Sequence, residues 1–170
     1  EAALIMENMA SELPINDLNE SASLNVIRCW NALESWPKSI TAAENFAKLF
    51  PNSKCLPQVL YMEGEACRSA LQYDKAVEIF DHLATKFPND DFGSRARFLK
   101  AFALLQAEKN TESAAAFSEF VIAFPTHELV DDADYWLGMS WAFDKQYDKA
   151  LKAMEAYLGK HKSGIHRGAA

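Results

Sequence analysis

Three aspartates fall within four residues, Asp131, Asp132 and Asp134, and such a density of carboxylate could hold calcium. A calcium loop takes alternate acidic ligands around a glycine that makes its turn. No glycine lies among these three and the register around them is helical, so they read as first-turn residues facing a helix dipole. His82, His127, His161 and His166 have no cysteine partners at zinc spacing, and structural or solvated roles are expected for them. Gly138-Met139-Ser140-Trp141-Ala142 approaches a nucleophile elbow, but it ends in alanine and falls inside a helical pattern. Phosphate loops and paired-histidine metal motifs are absent from the sequence. Cys29, Cys55 and Cys67 are an odd, sparse set. Cys55 and Cys67 on one helix would stand about 18 Å apart, beyond disulfide reach, so free thiols are expected. The chain is read as non-enzymatic, with no catalytic residue, no metal site and no cofactor.

The elements that carry these residues are helices. Alanine (27) and leucine (17) far outnumber valine (5) and isoleucine (7), while glycine and proline number only 6 each. Small and straight side chains keep rotamer freedom in a helix, and β-branched ones lose it. Seventeen basic against 24 acidic residues give a net charge of −7, and the sequence shows no basic face of the kind a nucleic-acid partner requires. The basic tail from Lys160 to Arg167 reads as a solvated end. No apolar run approaches the ~20 residues of a membrane span, so no direct membrane insertion is expected. The sequence opens on Glu1, as a mature form or an excised fragment would.

The chain repeats itself. Phe50-Pro51, Phe87-Pro88 and Phe124-Pro125 are spaced by 37 residues, and one further step reaches His161-Lys162, where the marker has decayed. Four columns share that register: Ile27, Gly64, Ala101, Gly138; then Ser39, Ala76, Ser113, Ala150; then Ala43, Phe80, Phe117, Met154; then Phe46, Leu83, Phe120, Tyr157. Small residues recur where two helices must approach closely, and large ones recur at helical offsets. Ser53 with Pro57, Asp90 with Asp91, and Thr111 mark helix starts. Nine helices are predicted, at about 1–12, 17–35, 38–49, 55–71, 74–86, 92–108, 111–123, 127–143 and 147–160. They form one repeat domain over 1–170: a half repeat at 1–12, repeats at 13–49, 50–86, 87–123 and 124–160, and a tail at 161–170. Trp141 is expected in the core and Trp136 in a more open column.

Ala133-Asp134-Tyr135-Trp136-Leu137-Gly138, with Tyr147-Asp148-Lys149-Ala150, resembles the tetratricopeptide repeat (TPR) pattern. Gly64, Ala76, Phe80 and Pro88 follow the family's spacing of small residue, alanine, aromatic and proline. The longer unit ending in Phe-Pro is similar to a bacterial subgroup that includes the periplasmic TPR protein of the Tol–Pal system and the outer-membrane-protein assembly lipoprotein. The resemblance implies an all-α right-handed superhelix of helix hairpins, an α-α solenoid.

It further implies a non-enzymatic scaffold that binds a peptide or protein partner in a concave groove, in a periplasmic or cell-envelope complex. A cytoplasmic location stays open. The alternative is a helical regulatory or substrate-docking segment of a larger enzyme. Family positions place Tyr61, Glu65, Arg68, Arg95, Phe98, Phe102, Tyr135 and Met139 on the groove, with Leu105 and Phe143 further along. Their aromatics favour an apolar peptide or helix, with Arg68 and Arg95 as polar anchors. Self-association through the N-terminal half repeat is also expected.

Overall fold

The computed structural model describes residues 17–162 together with Ile5, Asn8, His166 and Gly168. Among them are eight helices and no strand: α1 Asp17–Ala32, α2 Trp36–Leu49, α3 Leu56–Ser69, α4 Tyr73–Lys86, α5 Asp91–Gln106, α6 Asn110–Ala123, α7 Val130–Phe143 and α8 Tyr147–Lys160. The helix expected over 1–12 and the half repeat it would form lie outside the described residues. The chain divides into two compact units, Glu1–Gly93 and Ser94–Ala170. In the first, α1 packs on α2, α2 on α3 and α3 on α4; in the second, α6 packs on α7 and α7 on α8. Helix α5 starts in the first unit and runs into the second.

The register governs the backbone as well as the side chains. Each first helix stops in the same turn, around Glu34, Leu71, Glu108 or Lys145, whose φ values lie between 52° and 60°. The N–H of the next residue reaches back to Trp30, Cys67, Leu104 or Trp141, in the six-to-one bond of a Schellman motif. This turn ends α1, α3 and α5 two or three residues before the expected limits of 35, 71 and 108. No glycine announces it, although the left-handed region costs a side-chain-bearing residue about 1–2 kcal/mol. Leu71 is 72% exposed, so little packing offsets that strain. Leu71→Gly is expected to raise stability by about 0.5–1 kcal/mol after the greater freedom of the unfolded chain is subtracted. A urea titration in which its midpoint fell would contradict the strain argument.

Second helices end at Leu49, Lys86 and Ala123, and the following Phe50, Phe87 and Phe124 donate their N–H groups to Phe46, Leu83 and Phe120. His161 does the same to Tyr157, and its ring lies 5.1 Å from that tyrosine as Phe50 does from Phe46. The marker that decays in sequence therefore persists in structure as an aromatic ring. Three residues after each phenylalanine, Ser53 Oγ, Asp90 Oδ1 and His127 Nδ1 accept the N–H of Cys55, Phe92 and Leu129. These side-chain turns set the entry to α3, α5 and α7. The His127 turn delays α7 to Val130, three residues past the expected start.

All four columns are buried, apart from half-buried Met154. A Cβ on Gly64 would stand 2.4 Å from the Phe80 ring, and one on Gly138 would stand 2.7 Å from Met154 Cε. The small column thus seats the large residue sixteen positions on. Serines in the alanine column are satisfied: Ser39 donates to Asn31 at 2.6 Å and Ser113 to the Ala101 carbonyl at 2.9 Å. Trp141 is only half-buried, against the expectation of a core residue, and Lys149 lies over its ring at 4.2 Å. Lys38 covers Trp30 at the same distance and the same sequence offset.

Candidate interaction surface

In the first unit, α3 carries Tyr61, Glu65 and Arg68, all half-buried. The Tyr61 ring sits 5.2 Å from Phe92. Arg68 Nε donates to Glu65 Oε1 at 2.8 Å, and that hydrogen bond is the main cause holding the guanidinium above its ordinary pKa. The proposed anchor is thus already engaged by its neighbour one turn away.

In the second unit, Arg95 pairs with Glu128 at 2.6 Å. Phe98 meets Phe117 and Phe120 edge-on at 5.5 and 5.8 Å, so one side of its ring belongs to the core. Its other neighbour, Phe102, lies parallel to it at 6.4 Å and meets Trp136 edge-on at 5.2 Å. Trp136 in turn meets Tyr135 at 5.4 Å. The result is a half-buried aromatic ladder, Phe98–Phe102–Trp136, along the edge of the buried cluster of Ala101, Phe117, Phe120 and Ala133. Met139 and Leu105 are half-buried, while Phe143 is 52% exposed.

Tyr135 differs from the expectation of an open groove residue. It is 8% exposed because the His166 ring stacks on it at 4.2 Å and 14°. His166 Nε2 also reaches Asp132 at 2.5 Å, and its N–H donates to the Tyr157 hydroxyl at 3.2 Å. Burial raises the pKa of that hydroxyl. His161 pairs with Asp134 at 2.6 Å and with Asp131 at 3.1 Å, and Lys160 joins Asp134 at 2.6 Å. These tail residues are not a solvated end, and the aspartates do more than face a dipole: hydrogen bonds between them and Lys160, His161 and His166 hold the two together. The repeat could have revealed this. Tyr61, Phe98 and Tyr135 form one column, and Phe92, Leu129 and His166 another, so the Tyr135–His166 stack repeats the Tyr61–Phe92 contact.

All three cysteines are free thiols, and burial pushes the Cys67 thiol up to about 11. Among the described residues, no group of histidine, cysteine and carboxylate could hold a metal ion. No described helix is long and apolar enough to cross a membrane.

Helix hairpins repeated at a fixed period, each seating a large residue on a small one, define a TPR-like all-helical repeat protein. Residues 57–163 match the family model of YfiO, outer membrane lipoprotein, and the chain belongs to that family. No curated protein sequence matches the chain. Solved structures share the fold. MamA from Desulfovibrio magneticus RS-1 is 23% identical with a TM-score of 0.69, over 86% of this chain and 77% of that one. YrrB, described as a TPR protein with an unusual peptide-binding site, is 18% identical with a TM-score of 0.67, over 89% and 75%. TPR-like repeats of a Podosopora anserina kinesin light chain reach a TM-score of 0.77 at 11% identity, over 96% and 86%.

Proposed function

We propose that this chain is a non-enzymatic interaction module of a bacterial cell-envelope complex, holding an apolar peptide or helix against the faces of its first helices. The Phe98–Phe102–Trp136 ladder carries this reading. All three rings pack on one side against the buried cluster of Ala101, Phe117, Phe120 and Ala133, yet each stays partly open. Aromatic anchors of this kind supply most of the energy in peptide recognition. Tyr61 with the Glu65–Arg68 pair offers a similar surface on the first unit, and Arg95 and Met139 flank the ladder on the second. The YfiO family description supports an envelope setting, and the description of YrrB supplies a peptide-binding precedent on this fold. The net charge of −7 disfavours nucleic acid.

The test is co-purification from a bacterial envelope extract with the chain immobilised. Phe102→Ala is expected to weaken capture of the partner by about 1–3 kcal/mol while far-UV circular dichroism keeps its helical amplitude. A partner set unchanged by Phe102→Ala and by Arg68→Glu would place the functional surface elsewhere. Capture from a cytosolic extract alone would remove the envelope assignment.

A further inference from the structure

The ring that follows a second helix cannot titrate in three of its four places, Phe50, Phe87 and Phe124; in the fourth it is His161. What meets this ring changes in the same repeat. Arg97 lies over Phe124, and its column continues as Asp134, which bonds His161. In the column beside it, Pro57 and Ser94 give way to Asp131. An imidazole between two carboxylates thus stands where the other repeats place a phenylalanine. His161 Nε2 meets Asp134 Oδ2 at 2.6 Å, and its Nδ1 stands 3.1 Å from Asp131 Oδ1. A neutral imidazole has one N–H and one lone pair. Whichever nitrogen keeps the proton, the other turns its lone pair on a carboxylate. Only the doubly protonated ring presents an N–H to both aspartates. The side chains of His161, Asp134 and Asp131 are 13%, 14% and 23% exposed, so solvent screens these contacts weakly. Lys160 Nζ shares Asp134 Oδ2 at 2.6 Å, and Tyr157 interacts with Asp131. His166 meets one carboxylate, Asp132, through Nε2, and a neutral ring can make that bond.

We propose that His161 is the proton sensor of a clasp that ties the residues after α8 to the first turn of α7 and keeps Tyr135 covered. With both ring nitrogens protonated, His161 bridges Asp131 and Asp134. As pH rises from about 6 to about 8, the ring gives up one proton and one of its two contacts turns repulsive. His166, five residues on, loses that tether, and its ring leaves Tyr135 more often. The closed clasp binds the second ring proton more tightly than the open one does. Closure is therefore complete at low pH and weakens as pH rises. Opening adds the Tyr135 ring to the aromatic surface, since Trp136 already meets it at 5.4 Å. That consequence rests on the ladder as a binding surface; the proton dependence of the clasp does not.

The test is amide hydrogen exchange of the full 170-residue chain, followed by NMR at pH 6 and pH 8 and corrected for intrinsic rates. The His161 N–H donates to the Tyr157 carbonyl and the His166 N–H to the Tyr157 hydroxyl, so both report on the clasp. From pH 6 to pH 8 their protection is expected to fall at least about tenfold further in the wild-type chain than in Asp131→Asn. The carboxamide offers an N–H to the bared lone pair, so one ring proton suffices in that variant. Glu63 titrates alike in both chains and cancels. Asp134→Asn makes the same test on Nε2. Equal falls in the wild-type chain and both variants overturn the proposal. His166→Phe keeps a ring on Tyr135, as Phe92 stands on Tyr61, and is expected to retain the excess fall at the His161 amide. Its loss there would make His166 the sensor and overturns the proposal as well. Phe102→Ala leaves the pH dependence of the clasp unchanged, which separates a failure here from a failure of the ladder.

Discussion

Gly93→Ala is expected to lower stability by about 3 kcal/mol, more than typical overpacking because backbone stands in the way. A Cβ at Gly93 would lie 1.9 Å from the Phe87 carbonyl oxygen and 2.9 Å from its carbon. Conformational freedom is not the reason, since no glycine among the described residues has a positive φ. The reason is an early helix start. Asp90 accepts the Phe92 N–H at 2.8 Å and α5 begins at Asp91, four residues past Phe87. Helices α3 and α7 begin six residues past Phe50 and Phe124. The tighter entry folds the first turn of α5 onto the Phe87 carbonyl. Gly138→Ala makes the useful contrast. Its Cβ would meet the flexible end of Met154, which can swing away, so a smaller loss is expected. Alanine's better helix propensity returns at most about 1 kcal/mol at either position. Chemical denaturation of the two variants measures the difference; equal midpoints would show that Phe87 yields as easily as Met154.

Gly93 also shows where reading the sequence stopped. The repeat was legible because packing imposes it: small and large columns at fixed offsets are what stacked hairpins require. Those columns fixed the helix pairing, the class of protein and the buried residues. Departures from the repeat were not legible. Gly93 has no counterpart in register, so its contact with Phe87 follows only from coordinates. The left-handed turns at Glu34, Leu71, Glu108 and Lys145 were hidden because none uses the residue that announces such a turn. Groove positions transferred by register reached Phe98 and Phe102 and brought them together. They missed Trp136, which joins Phe102 to Tyr135, and they left Tyr135 open where His166 covers it. That cover repeats the Tyr61–Phe92 contact in the same register, and it was missed because a histidine stands where the earlier unit has a phenylalanine.

Glu63 was equally silent in the sequence, and its replacement has the second large expected effect. Column neighbours Val26, Lys100 and Leu137 give no sign that a carboxyl belongs there, yet Glu63 is 6% exposed on α3. Burial pushes its pKa up to about 7; Glu44 adds to the rise, while Lys75 and Lys48 oppose it. Lys75 Nζ pairs with Glu44 at 2.6 Å, so its charge is shared with the competing carboxylate. A raised carboxyl pKa means the folded state resists ionisation. Below about pH 4.5 Glu63 is protonated in both states and burial of its charge costs nothing. As pH rises towards about 7 the unfolded chain ionises first, and stability falls. Above that the loss is complete, at about 3 kcal/mol. Glu63→Gln keeps the size of the side chain and cannot ionise. It is therefore expected to match the wild-type chain near pH 4 and to exceed it by about 3 kcal/mol at pH 8. Urea unfolding of both proteins at the two pH values isolates this one group, because every other titration is common to them. A difference that stays constant with pH would mean that Glu63 ionises as readily in the folded chain as in the unfolded one.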